Sequence, residues 1–129
     1  MRRTDTENVR KKALTDAAIQ AVGAQGSMDV TMADIAARAG VSPALAHHYF
    51  GSKQDLMLAS VRSLLAELRS DTVIALRQTR TPRARVSAII QVSFSSKQFS
   101  DHVVAAWLAF YVEAQRNAAL SRLLGIYGR

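Results

Sequence analysis

Side chains suited to hydrogen-bonding chemistry are concentrated in one short segment, where His47, His48 and Tyr49 follow one another. Imidazole and phenol groups bind base edges and phosphates through hydrogen bonds. The two histidines diverge by about 100° on a helix, so they do not easily share a metal ion. The chain has no cysteine, which excludes disulfides, zinc fingers and thiol catalysis. Since no glycine-rich phosphate loop or catalytic Ser, His and Asp arrangement is recognisable, we predict a binding protein without cofactor or metal rather than an enzyme.

The sequence around these residues predicts two short helices joined by a tight turn, TMADIAARAGVSPALAHHYF. Thr31 caps the first helix together with the acidic residue three positions later, and Gly40 ends it. Ser42 caps the second helix, and Pro43 fits its first turn, where a missing N–H costs nothing. Two helices connected in this way form a helix-turn-helix motif, here over residues 31–50.

The second helix, predicted at about residues 43–50, is the candidate for the major groove of DNA, which admits one helix. Ala46 and Phe50 lie one turn apart and are expected to face inward. The remaining positions are the predicted DNA contacts: Pro43, Ala44, Leu45 and His47 in the groove, and His48 and Tyr49 at flanking phosphates. Because this helix has no Arg or Asn for a bidentate base contact, sequence specificity would depend on close fit and DNA shape. The alternative interpretation is a buried helical hairpin.

The net charge of +7 is unevenly distributed along the chain. Residues 1–60, which contain the motif, carry seven Lys and Arg against six Asp and Glu, whereas residues 61–129 carry ten against four. Bulk charge therefore gives little support for DNA binding by the motif. The local placement of basic residues gives more support for DNA binding. They lie around the start of the first helix and just after the motif, at Arg2, Arg3, Arg10, Lys11, Lys12 and Lys53. These positions suit phosphate contacts, and the alternative is a solvated basic arm.

Every convincing segment of the chain is helical, so the predicted fold class is all-α. The predicted helices lie at about 8–25, 32–39, 43–50, 53–78, 82–95, 101–116 and 118–126. In the first of them Leu14, Ala17, Ala18 and Ala21 share one apolar face. No apolar stretch reaches the roughly 20 residues needed to span a bilayer. No signal peptide is visible either, and we expect a cytoplasmic protein.

The segments DIAARAGVS and HHYFGSKQDL resemble the signature of TetR-family transcriptional regulators. The resemblance implies a three-helix DNA-binding head over residues 8–68, followed by helices for ligand binding and dimerisation over residues 69–129. It also implies phosphate contacts at five positions: Thr31, Ser42, His48, Tyr49 and Lys53. Ala46 replaces the larger aliphatic residue usual in the family, and His47 stands where many members carry Tyr.

The stretch AAWLAFYVEAQRNAALSRL, residues 105–123, is similar to the choline-responsive repressors of glycine-betaine synthesis, the BetI type within this family. Trp107, Phe110 and Tyr111 follow a helical i, i+3, i+4 spacing, and aromatic faces attract quaternary ammonium groups. Glu113 is expected to add a negative charge near the rings. These four residues are the predicted ligand site. The alternative is that the three rings belong to the core of an apolar helix.

Together the two resemblances imply a repressor that binds double-stranded operator DNA as a homodimer and releases it when a small effector binds. The candidate effector is choline, and the genes controlled would be those of glycine-betaine synthesis. The alternatives are a regulator that answers to another lipophilic or cationic ligand, and a truncated interaction module that does not dimerise. Because the resemblance stops inside the seventh helix, we expect only part of the ligand-binding domain, and weaker DNA binding than by a complete protein.

Overall fold

The computed structural model describes the backbone of residues 3–127 and the side chains of residues 4–125. Over this part of the chain seven α-helices and no strands are present: α1 (Arg3–Gln25), α2 (Met32–Ala39), α3 (Pro43–Phe50), α4 (Lys53–Arg77), α5 (Pro82–Ser93), α6 (Asp101–Ala114) and α7 (Ala118–Tyr127). The all-α prediction is therefore confirmed. Within the same residues, no helix is long and apolar enough to cross a bilayer. Arg2 lies outside the described residues, as does the side chain of Arg3.

Helix α1 begins at Arg3, well before the predicted start near Asn8. The additional residues are polar, and Asp5 places a negative charge in the first turn, where the helix dipole stabilises it. The sequence pattern missed these residues because they have no apolar face that would define a helical period. Further along, the predicted apolar face is confirmed, since its four members are all buried: Leu14, Ala17, Ala18 and Ala21.

Helices α2 and α3 have the predicted bounds because local hydrogen bonds fix both ends of the turn between them. The Thr31 hydroxyl accepts from the Asp34 amide at 3.0 Å, and the Asp34 carboxylate accepts from the Thr31 amide at 3.3 Å. Gly40 ends α2 at a φ of 72°, a left-handed conformation that glycine adopts without steric cost. The Val41 amide then donates to the Ala36 carbonyl at 3.0 Å. The chain is thereby turned into α3 without leaving these polar groups unpaired.

Helix α4 runs for 25 residues without interruption. Its first half packs on the core through six buried residues: Leu56, Met57, Ser60, Val61, Leu64 and Leu65. The Ser60 hydroxyl is satisfied inside this core because it donates to the Leu56 carbonyl at 2.8 Å. None of residues 66–77 is buried. No break in the helix marks the predicted domain boundary after residue 68, so that boundary remains a prediction.

Helices α1 and α6 pack closely at Gly23, where only a glycine leaves enough room. A Cβ atom at this position would lie 2.2 Å from the carbonyl oxygen of His102 on α6. Phe110, also on α6, is fully buried in the same core, which α1 and α4 share. The helix that carries the candidate ligand residues is therefore packed directly on the first helix of the head.

Helix α5 packs on α4 and buries none of its own residues. Its Val86, Ile89 and Ile90 are exposed, which leaves an apolar stripe open to solvent. The helix ends at Ser93 rather than near Ser95 as predicted, because residues 94–99 form turns before α6.

The turn between α5 and α6 is tied back to α4 by an ion-pair cluster at Lys97. The Lys97 ammonium lies 3.2 Å from an Asp71 oxygen and 3.6 Å from a Glu67 oxygen. The hydrogen bond to Asp71 raises the pKa of Lys97, with the negative charges of Glu67 and Asp71 acting in the same direction. Both acidic residues of this part of α4 are thus bound to the same cation.

Candidate nucleic-acid interface

The N-terminus of α3 is formed by Ser42 and Pro43. The Ser42 hydroxyl accepts from the Leu45 amide at 3.1 Å, and Pro43 has no amide hydrogen to satisfy. Within the described residues the Ala44 amide is therefore left as a free donor at this helix end. An unpaired amide at the positive end of a helix dipole suits a phosphate oxygen.

The outward and inward sides of α3 largely follow the prediction. Pro43, Ala44, His47 and His48 are exposed, Ala46 is fully buried and Phe50 is half-buried. Leu45 differs from the prediction, because its side chain is half-buried rather than directed fully outward. It faces a cleft of about 320 Å³ between α1 and α3, lined by Thr6, Glu7, Arg10, Leu45, His48 and Tyr49.

The first turns of α1 form the other wall of this cleft, and they include the residues that the predicted helix start left out. An Arg10 guanidinium nitrogen lies 3.5 Å from the Tyr49 hydroxyl oxygen and donates to it. The hydroxyl keeps its own proton for a further acceptor such as a phosphate. Tyr49 is half-buried against the core, so the aromatic ring is held while its polar end stays near a positive charge.

His47 has a hydrogen-bond partner within the protein, and this partner determines which ring nitrogen is left for DNA. Its Nδ1 atom lies 3.1 Å from the carbonyl oxygen of Gly51, at the end of α3. Because a carbonyl only accepts, Nδ1 carries the proton, and in a neutral ring Nε2 is left as an acceptor. An exposed imidazole can also donate to a base edge or a phosphate. The geometry instead suits an amino group of adenine or cytosine when the ring is neutral, and a donor role only when the ring is protonated.

Two predicted phosphate contacts outside α3 already have partners within the protein. The Lys53 ammonium donates to the Met28 carbonyl at 3.1 Å, which ties the start of α4 to the loop before α2. An ammonium has three protons, so two remain for a phosphate. The Thr31 oxygen accepts in the capping box, and its hydroxyl proton stays free for an outside acceptor.

We expect Ser42→Ala to lower the free energy of unfolding by about 1 kcal/mol, because the Leu45 amide loses its capping partner. The matched control is Ser100→Ala, since Ser100 is the N-cap of α6 but makes no capping hydrogen bond. Urea unfolding followed by circular dichroism measures both variants. Equal losses in the two variants would show that the Ser42 hydrogen bond is not the source of the effect.

Trp107 and Tyr111 are brought together in a second cleft, between α4, α6 and α7. Their ring centroids are 6.2 Å apart and the ring planes are inclined by 37°. The cleft has a volume of about 610 Å³ and is lined by Leu65, Leu68, Arg69, Trp107, Tyr111 and Leu124. Two of the four predicted ligand residues therefore share one cavity.

The other two predicted ligand residues, Phe110 and Glu113, do not line that cleft. Phe110 is fully buried and meets Trp107 edge-on, with ring centroids 6.3 Å apart. Glu113 borders a different cleft and is paired with Arg116 at 3.2 Å. At about 100° per residue, Phe110 is turned toward the core and Glu113 toward the far side of α6. The prediction that all four residues form one site is corrected.

Two features of this region were not anticipated from the sequence. Arg69 lines the aromatic cleft, although nothing in its neighbourhood along the chain indicates that it lies near Trp107. Asn117 caps α7, because its side-chain oxygen accepts from the Leu120 amide at 3.1 Å. The cap has a recognisable signal, an Asn just before a helical segment, whereas the placement of Arg69 has none.

Comparisons with known proteins match both parts of the chain. Residues 14–60 match the family described as bacterial regulatory proteins, tetR family, and residues 82–129 match the BetI-type transcriptional repressor C-terminal family. A chain of known crystal structure from Pseudomonas aeruginosa PAO1 superposes with a TM-score of 0.79 at 25% identity, covering 92% of this chain and 58% of that one.

Two relatives are similar along almost the whole sequence, and both are called HTH-type transcriptional regulator BetI. The one from Rhizobium meliloti is 58% identical over 129 residues, and the one from Agrobacterium fabrum is 60% identical over 123 residues. These alignments cover 100% and 95% of this chain, but only 64% and 60% of the relatives' own length. With both family regions present in order, the chain belongs to the TetR family of bacterial regulators and carries a BetI-type C-terminal region.

Proposed function

We propose that this chain is a DNA-binding transcriptional repressor, which holds operator DNA with α3 and releases it when a small effector binds among α4, α6 and α7. The observation that carries the proposal is the state of α3: it is capped at Ser42, anchored by the buried Ala46, and presents His47 and His48 to solvent. Exposed hydrogen-bonding residues on a short, well-anchored helix fit recognition of base edges in a groove.

A homodimer of the complete protein is part of the proposal. Helix-turn-helix proteins read two half-sites spaced about 34–36 Å apart, and a single head has the contacts of only one. The phosphate contacts proposed for each head are Thr31, Ser42, His48, Tyr49 and Lys53. The second head doubles the contacts to base edges as well as those to phosphates, and the added base contacts let a dimer distinguish its operator from other DNA far better than one head alone.

The effector proposed for this repressor is a small quaternary ammonium compound, with choline as the first to test and glycine-betaine synthesis genes as the proposed targets. The BetI-type match and the paired rings of Trp107 and Tyr111 support this class of ligand. Release requires that the effector bind more tightly to a conformation that does not fit the operator. Helix α4 offers a route, because it lines the aromatic cleft and also begins beside α3.

Selection of bound sequences from random oligonucleotides tests this function directly. We expect an enriched inverted repeat without choline and a loss of enrichment when choline is saturating. His47→Ala should lower discrimination at the base that it reads by about 1–3 kcal/mol, whereas His102→Ala, on α6, should select the wild-type sequence. A selection that recovers no preferred sequence overturns the proposal.

A second candidate is an interaction module that binds other subunits instead of DNA. It is favoured by the exposed apolar stripe of α5 and by a similar one on α6, formed by Leu108, Tyr111 and Val112. Contiguous exposed apolar patches often mark protein–protein contacts. Analytical ultracentrifugation with and without operator DNA separates the two functions, because a module of this kind associates with other chains whether or not DNA is present.

A further inference from the structure

We propose that His47 reads the exocyclic amino group of an adenine or a cytosine, through a ring nitrogen that the Gly51 carbonyl keeps free of hydrogen. The inference rests on the proposed function in one respect, namely that α3 lies in the major groove of operator DNA, and it specifies which bases are selected there. It also identifies a chemical modification of the DNA that prevents this contact, which is methylation of the same amino group.

His47 is the one residue of α3 that is placed to read a base edge through side-chain hydrogen bonds. Among the eight residues of this helix, all of which the structure describes, residues 43–46 and Phe50 have no polar side chain. His48 and Tyr49 line the cleft against α1, where phosphate contacts are proposed. His47 is exposed and does not line this cleft. Polar readout of the bases by α3 therefore depends on one imidazole ring.

Two hydrogen bonds join His47 to Gly51 and hold this ring. The Gly51 amide donates to the His47 carbonyl at 2.7 Å, and Nδ1 of the ring donates to the Gly51 carbonyl at 3.1 Å. Gly51 turns its carbonyl toward the ring at a φ of 82°, a backbone conformation that favours glycine. The ring is thus held in one tautomer and one orientation before DNA binds, so less conformational freedom is lost on binding.

A ring nitrogen that carries no hydrogen distinguishes the bases by their groups in the major groove. Adenine and cytosine present amino groups, which donate to Nε2 of His47, whereas guanine and thymine present carbonyl oxygens, which only accept. Arginine in the same place would select guanine, and asparagine would select adenine alone. We therefore expect one position of each half-site to carry adenine or cytosine on the strand that His47 contacts, and not guanine or thymine.

Methylation of the contacted amino group removes the hydrogen that this contact needs. In a base pair one amino hydrogen is used in Watson–Crick pairing and the other lies in the major groove. N6-methyladenine and N4-methylcytosine carry a methyl group in place of the groove hydrogen when they are paired. Nε2 of His47 then meets a methyl group instead of a donor, so its lone pair is left without a partner.

Selection from random oligonucleotides locates the base that His47 reads. The selection is done at about pH 8, where histidine rings are neutral, with the wild type, with His47→Ala and with His102→Ala, an exposed histidine of α6 that serves as the matched control. We expect one position of the half-site to lose its preference in His47→Ala alone, and that position to be adenine or cytosine in the wild type. Guanine or thymine there, or no altered position, overturns the inference and leaves the repressor standing. A selection without any preferred sequence overturns both.

Operator duplexes with one methylated base then test the amino group itself. The adenine or cytosine at the located position is replaced by N6-methyladenine or N4-methylcytosine, and the control duplex carries the same modified base outside the half-sites. We expect methylation at the located position to weaken wild-type binding about tenfold, since one hydrogen bond is lost and its acceptor is left unpaired. His47→Ala should bind the methylated and unmethylated operators equally. Equal binding by the wild type, or the same loss in His47→Ala, overturns the inference.

Gly51→Ala tests the carbonyl that positions the ring. Alanine disfavours a φ of 82°, so the carbonyl should turn away from His47, and the located position should lose both its preference and its sensitivity to methylation. Gly26→Ala is the matched control, because Gly26 also has a positive φ, of 70°, but lies outside α3 and has no atom within 4 Å of an added Cβ. A Gly51→Ala variant that selects and binds as the wild type does overturns the role of the carbonyl.

Discussion

Phe110→Ala is expected to lower the free energy of unfolding by about 3–5 kcal/mol, the loss typical of a buried phenylalanine. Phe110 is fully buried, so removal of its ring leaves a cavity in the core to which α1, α4 and α6 all contribute. The total stability of a domain is only about 5–15 kcal/mol. We therefore expect the urea midpoint of the helical circular dichroism signal to fall sharply in this variant.

Two neighbours on α6 provide the controls for this prediction. Leu108 is 64% exposed, so Leu108→Ala should change stability by no more than about 0.5 kcal/mol. Tyr111→Ala should leave the protein folded but reduce the fluorescence response to ligand, because Tyr111 lines the cleft. Normal stability together with lost ligand binding in Phe110→Ala would restore Phe110 as a ligand residue, as its spacing from Trp107 first indicated.

Gly23→Ala is expected to cost about 1–3 kcal/mol of stability, as overpacking of a close helix contact does. The added methyl group would stand 2.2 Å from the His102 carbonyl oxygen, so α1 and α6 must move apart. This cost outweighs the gain of about 0.5–1 kcal/mol that alanine normally brings over glycine inside a helix. Urea unfolding measures the loss, and the separation of α1 from α6 should also alter the response of DNA binding to effector.

Gly125→Ala is the matched control, because Gly125 is also helical but has no atom within 4 Å of an added Cβ. This variant should be as stable as the wild type or more stable, since only the intrinsic helix preference changes. If Gly23→Ala is stabilised to the same degree, the helices separate at no cost and the close contact does not hold α6 to the head.

The motif around α2 and α3 could be predicted from the sequence because its determinants are local. Thr31, Gly40 and Ser42 each act on residues within four or five positions, so their spacing alone defines the caps and the turn. Helical periodicity also identified the buried face of α1. In these elements the short-range hydrogen bonds and the local packing favour the same helices. The structure therefore adds mainly distances to what the sequence predicts.

The contacts between distant parts of the chain could not be predicted in this way. Nothing local indicates that Gly23 meets His102, that Arg10 reaches Tyr49, or that Arg69 lies beside Trp107. The i, i+3, i+4 spacing of the three rings on α6 predicts one shared face. In the structure Phe110 lies in the core, whereas Trp107 and Tyr111 line the cleft. A helix that is apolar almost all round carries no signal for which side is buried, because its neighbours decide this.

The uninterrupted course of α4 has a geometrical consequence for any signal between the two clefts. The helix lines the aromatic cleft at Leu65, Leu68 and Arg69, which lie about 18–24 Å from Lys53 at 1.5 Å per residue, so a tilt of about 5° around the cleft moves Lys53 by about 2 Å. A displacement of that size is enough to break the hydrogen bond by which Lys53 holds the Met28 carbonyl at 3.1 Å. Under the proposed function, a small angular change beside Trp107 would therefore also move the phosphate contact proposed for Lys53.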